Sequence, residues 1–138
     1  MSKKLLSTFL FVGLLFSTNL KAENVLYCQS ELATGFYREG GVWKTGSFEL
    51  ERFTIKFTNN FRKLHGLDDD RPFDCNVPFS IGAPEVVACV SGYGTSEGFL
   101  FNKNRLRFSF SKTAVSGFVE GAGGGSTEVL FAGTCKNF

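Results

Sequence analysis

Two hydrophobic patterns divide this chain of 138 residues. Leu5 to Phe16 is a single apolar block, broken only by Ser7, Thr8 and Gly13. From residue 23 onward the apolar positions alternate instead. In Arg52-Phe53-Thr54-Ile55-Lys56-Phe57-Thr58, residues 53, 55 and 57 share one face, and charged and hydroxyl residues share the other. Leu106 to Ser111 repeats the pattern with 106, 108 and 110 inside, and Val129, Phe131 and Gly133 repeat it on the way to Cys135. A period of two is the mark of an antiparallel strand with one buried face. Val25–Gln29, Gly35–Arg38, Val86–Val90 and Gly98–Phe101 are weaker candidates.

The segments between these runs carry turn chemistry. Glu39-Gly40-Gly41, Asn59-Asn60, Asn102-Lys103-Asn104 and residues 121–126 are rich in Gly and Asn, which accept positive φ at low cost. No stretch after residue 22 sustains a helical apolar period over three turns, so at most one helical turn is expected, around Asn59 to Leu64. The expected fold is therefore all-β, a small antiparallel meander barrel or sandwich of about 7–9 short strands. Of 17 Phe, all but Phe9, Phe11 and Phe16 follow residue 22, so 14 are available to a core without methionine. Such a core either fills the interior or lines a cavity for an apolar ligand, and pattern alone leaves both open.

The first block changes the picture of where the protein works. Lys3 and Lys4 precede it, and Ser17 to Ala22 follow as a polar segment ending in a small residue. This is the layout of a secretory signal peptide, and the apolar run is shorter than the roughly 20 residues of a spanning helix. Residues 1–22 are read as a cleaved signal peptide and residues 23–138 as a single disulfide-stabilised β domain, periplasmic or secreted, with no transmembrane segment after cleavage. Cleavage removes Lys3, Lys4 and Lys21, so Lys+Arg falls from 15 to 12 against 13 acids and the net charge passes from +2 to −1. Nothing in that balance invites nucleic acid or an anionic membrane.

All four cysteines, Cys28, Cys75, Cys89 and Cys135, follow residue 22. An even count in a small exported domain reads as two disulfides. The spacings of 47, 14 and 46 lack the close pairs of zinc sites, and no cysteine is left over as a thiol catalyst. The favoured pairing is nested, Cys28–Cys135 with Cys75–Cys89. The first and last strands of a closed sheet are neighbours, and the second pair flanks one connection containing Pro78, Gly82 and Pro84. The rival is sequential, Cys28–Cys75 with Cys89–Cys135.

Candidate chemistry is sparse. His65 is the only histidine, and no Gly-x-Ser-x-Gly elbow accompanies it. Glu49, Glu51, Glu97 and Glu120 are available for carboxylate-dependent hydrolysis, as they would be in any soluble protein. Asp68-Asp69-Asp70 with Asp74 and Asn76 invites calcium, but Pro72 stands where an EF-hand needs an oxygen ligand. Residues 121–126 lack the Gly-Lys-Ser/Thr ending of a phosphate loop and read as a hairpin tip. Lys103, Arg105 and Arg107 alternate with Phe99, Phe101, Phe108 and Phe110 onto opposite faces, as core and solvated charge rather than a nucleic-acid surface. Trp43 follows Gly41-Val42 and reads most simply as core or a barrel-end plug. Trp43 and Tyr93 are nonetheless the side chains to inspect first for ligand contact, since each joins an apolar face to a polar tip.

Cys28 with Ala33-Thr34-Gly35-Phe36, Trp43, Phe48, Phe53-Thr54-Ile55-Lys56, the Cys75/Cys89 pair, Phe99-Leu100-Phe101-Asn102 and Gly133-Thr134-Cys135-x-x-Phe138 together resemble an uncharacterised family of small exported proteins of Gram-negative bacteria. The resemblance spans nearly all of residues 23–138. It implies a signal peptide and a disulfide-tied β domain, and transfers no functional residue. By architecture the domain is also similar to periplasmic lysozyme inhibitors, a likeness of fold alone. The expected function is a non-enzymatic binding protein, without cofactor or metal, acting as a monomer on a protein, a glycan or a small apolar ligand. Inhibition of a cell-wall enzyme such as lysozyme, through a loop near Asp68 to Asp74, is the first alternative, and a carboxylate-dependent hydrolase the second.

Overall fold

The computed structural model describes residues 23–67, 71–91, 97–113 and 127–138. They form nine strands: β1 (Asn24–Glu39), β2 (Val42–Ser47), β3 (Arg52–Thr58), β4 (Lys63–His65), β5 (Phe73–Asn76), β6 (Val86–Val90), β7 (Gly98–Asn102), β8 (Arg107–Thr113) and β9 (Thr127–Asn137). Every pairing is antiparallel, and consecutive strands from β3 to β9 are neighbours. β1 pairs with both β3 and β9, which closes eight strands into a barrel and leaves β2 as an extra strand. Closure matters physically, because it removes two of the exposed edges that an open sheet would present.

β1 accounts for the ninth strand. Val25–Gln29 and Gly35–Arg38, two candidates in the sequence, belong to one long strand. Its first part pairs with β3, as Tyr27 opposite Thr54, and its last part pairs with β2, as Phe36 opposite Thr45. Its other edge follows β9 from Leu26 to Tyr37, with a bulge between Ser30 and Leu32. The bulge lets inward positions pass from Leu26, Cys28 and Ser30 to Ala33 and Gly35. Ser30 fills the partner change. Its amide donates to the Glu51 carbonyl at 2.9 Å, and its hydroxyl accepts from the Glu51 amide at 2.6 Å.

The interior is occupied by side chains. Phe57, Phe73, Phe99, Phe101 and Phe110 are fully buried with Ile55, Leu64 and Val87. Their rings touch in stacked and edge-on pairs, among them Phe53–Phe108 at 5.2 Å, Phe57–Phe101 at 5.3 Å and Phe99–Phe108 at 5.5 Å between centroids. These are favourable offset and T-shaped geometries, so phenylalanine builds the core rather than lining a hollow. The disulfides are Cys28–Cys135 and Cys75–Cys89. Each joins residues directly opposite in neighbouring strands, β1 to β9 and β5 to β6.

Several details depart from the sequence reading. Asn59 to Leu64 contains no right-handed helical turn. Asn59, Asn60 and Phe61 all have positive φ, and β4 begins at Lys63. Leu106 lies in the β7–β8 turn with φ of 51°, ahead of β8. Trp43 is neither core nor plug. It lies in β2 opposite Arg38 and is 43% exposed. β2, β4 and β5 had no counterpart among the candidates, being too short or too exposed to show alternation. Among the described residues, no helix is long and apolar enough to cross a membrane.

Candidate functional site

The strand directions divide the barrel into two ends. The lower end collects the start of β1, the β3–β4, β5–β6 and β7–β8 connections, and the end of β9. The upper end carries the β1–β2 hairpin, the end of β8 and the start of β9, and residues 68–70, 92–96 and 114–126 lie outside the described residues.

A recess of about 270 Å³ opens at the lower end. Its floor is the underside of the core, Leu26 and Phe101, and its walls are Phe61 and Leu106. Asn24, Asn104, Asn137 and Lys103 form the rim. The walls exist because two turns fold in an uncommon way. Asn59 and Asn60 enter the left-handed region readily, since their short side chains tolerate it. Phe61 follows them at φ of 62°, a costly conformation for a bulky residue. Its ring packs on Phe57 at 4.8 Å, and the Arg62 amide donates to the Thr58 carbonyl at 3.2 Å, closing the turn.

The opposite wall is built in a similar manner. The Asn102 side-chain oxygen accepts from the amides of Asn104 and Arg105, at 3.1 and 2.9 Å. This local bond starts the turn that ends with Leu106 in the left-handed region. The Leu106 carbonyl accepts from the Cys135 amide at 2.7 Å, and the Lys103 amide donates to the Glu85 carbonyl at 2.9 Å. The β7–β8 turn is thereby tied to β9 and to the β5–β6 connection. The Lys103 ammonium lies 5.3 Å from the centre of the Phe61 ring, within cation–π range.

The chemistry of this recess is specific in outline. It offers aromatic and aliphatic surface, three carboxamides that both donate and accept, one ammonium, and no acidic side chain in its lining. It suits a group with an apolar or ring face beside an anionic or hydroxyl-bearing one. Two smaller recesses, of about 130 and 140 Å³, lie on the outer wall against Tyr27 and Phe36.

The residues proposed from sequence fall elsewhere. Trp43 shares the outward face of the β1–β2 hairpin with Phe36 and Arg38, away from the recess. Tyr93 lies outside the described residues, as do Asp68–Asp70, Glu120 and the glycine-rich residues 121–126. Among the described residues, no group of three or more His, Cys, Asp or Glu side chains could hold a metal ion. Glu51 is bound by Lys112 at 2.9 and 3.0 Å, and that ammonium also lies over the Phe110 and Phe131 rings. This ion pair therefore caps the core from the upper end. His65 is exposed in β4, with its Nε2 3.3 Å from the Thr58 hydroxyl.

The residues missed were Phe61, Lys103 and Leu106. Both of their turns were legible, from Asn59-Asn60 and from Asn102-Lys103-Asn104. What the sequence lacked was the knowledge that these turns meet at one barrel end. No family model, curated protein or solved structure matches the chain.

Proposed function

We propose that this protein is an exported, non-enzymatic binding module whose binding surface is the lower end of the barrel. One observation carries the reading. The two bulky residues with left-handed backbone among the described residues, Phe61 and Leu106, both line one recess. Left-handed bulky residues cost on the order of 1–3 kcal/mol each and persist where the surrounding structure over-determines them, often at ligand sites. The filled interior directs binding to this rim rather than to a central cavity. Export is supported by the layout of residues 1–22 and by two disulfides, which persist in oxidising compartments. The resemblance to small exported proteins of Gram-negative bacteria points the same way.

Chemical-shift mapping tests the reading. The oxidised protein would be titrated with small amphipathic anions and with saccharides. Shifts concentrated in residues 59–62 and 102–106 are expected for at least one of them. Silence across the panel, or shifts confined to β2 around Trp43, would overturn the assignment.

A further inference from the structure

We infer that the lower end docks on an anionic lipid bilayer, an inference that rests on this end being the binding surface. Three observations converge there. The first is apolar exposure. The β5–β6 connection carries no charge from Asn76 to Pro84, and it presents Ile81 fully exposed at 99%, with Phe79 at 57% and Val77 beside it. Phe138, 90% exposed, ends the chain at the same end of the barrel. These side chains are not displayed by a slack loop. The Phe79 carbonyl accepts from the Ala83 amide at 2.8 Å, the Ala83 carbonyl from the Val86 amide at 3.0 Å, and Cys75–Cys89 staples the base. Exposed apolar side chains also stand on the β1–β2 hairpin, among them Phe36, Val42 and Trp43, and what sets the lower end apart is the charge beside its apolar tips.

The second observation is charge. Among the described residues, Arg62, Lys103, Arg105 and Arg107 form no ion pair, and all stand in or beside the lower turns. The acids Glu23 and Asp74 at this end are already bound to Lys56 and Lys63. Glu85 is the remaining acidic side chain there. Apolar tips ringed by free cations match the interface of an anionic bilayer, where insertion of the tips and attraction to headgroup phosphates act together.

The third observation is spacing, which suits a fluid lipid surface better than a folded partner. The tips stand apart, on the β5–β6 connection and at the C-terminus, with the recess near Lys103 in the same end. A bilayer accepts separated tips without a matching socket for each.

The test is co-sedimentation with vesicles of phosphatidylcholine, with and without phosphatidylglycerol. The protein would be isolated from cells expressing all 138 residues, with its N-terminus established by intact mass. Binding to the phosphatidylglycerol vesicles, weakened by added salt, is expected. Ile81→Asp and Arg105→Glu should each reduce it about tenfold or more. Both positions are exposed, so the melting temperature should hold. Val42→Asp, on the exposed hairpin, should leave binding unchanged. Equal binding to both vesicle types, or binding indifferent to the Ile81 and Arg105 substitutions, would overturn the inference. No vesicle binding, with shifts still seen at residues 59–62 and 102–106 on adding a soluble amphiphile, would overturn lipid docking and leave the recess a small-ligand site. Silence in both experiments would remove both readings.

Discussion

Ser30 is the one buried polar side chain recorded in the core, and its role is backbone repair. β1 leaves β3 at Gln29 and meets β2 only at Thr34, so the strand would lose ladder bonds between them. The Ser30 hydroxyl accepts from the Glu51 amide and restores a partner across the gap. Ser30→Ala should strand that amide and cost about 1–3 kcal/mol, read as a lower urea midpoint, and an unchanged midpoint would remove this account. Gly133 faces the same bulge from β9. A Cβ there would stand 2.1 Å from the Gln29 carbonyl oxygen and 2.7 Å from the Ser30 Cα, both backbone atoms. Gly133→Ala should therefore destabilise by about 1–3 kcal/mol through overpacking. A melting temperature equal to that of the parent would show that the bulge can give way. Neither residue announces this duty in sequence, where Ser30 lies just beyond the Val25–Gln29 candidate and Gly133 is one more alternating position.

At the scale of elements, alternation located β3, β6, β7, β8 and β9, because each has one face on the core and one in solvent. It failed for β4 and β5, which are too short for a period to emerge, and for β2, whose two faces are both largely exposed. It failed differently at Asn59 to Leu64. Local propensity suggests a turn of either hand, and packing of Phe61 on Phe57 selects the left-handed one. The disulfides act on elements of different reach. Cys28–Cys135 closes a separation of 107 residues and Cys75–Cys89 one of 14. By loop entropy these correspond to about 4.7 and about 3 kcal/mol, with native strain usually lowering both. Replacing Cys28 and Cys135 by alanine should thus lower the unfolding midpoint more than replacing Cys75 and Cys89. The second pair of substitutions should also loosen residues 77–84, seen as faster amide exchange there while the far side of the barrel stays protected. The reverse order of stability losses would argue against a denatured-state origin.

At the scale of the molecule, the net charge after residue 22 is close to neutral and conceals an asymmetry. Among the described residues, Arg62, Lys103, Arg105 and Arg107 gather in or beside the lower turns without an ion pair, whereas the upper end holds the Lys44–Glu39 and Lys112–Glu51 pairs together with Arg38 and Glu128. Strand direction creates this separation, by sending alternate connections to opposite ends. Export belongs to the same scale. Intact-mass spectrometry of protein from the host's exported fraction should give a chain starting near Glu23 and lower by four hydrogens than its fully reduced form. An uncut or reduced chain would undo the compartment argument.

What the sequence determined by itself was everything carried by local pattern: an all-β chain from period-two alternation, turns at Gly and Asn, a phenylalanine core, and a leader-like block before residue 23. These follow from neighbours a few residues apart, where sterics and solvent act on the chain directly. Tertiary structure decided which residues far apart in the chain stand together. It closed β1 on β9, filled the interior with Phe rings, turned Trp43 outward, and drew Phe61, Lys103 and Leu106 around one recess. That set depends on barrel closure, which fixes the relative positions of turns that the chain itself keeps more than 40 residues apart, from Phe61 to Lys103.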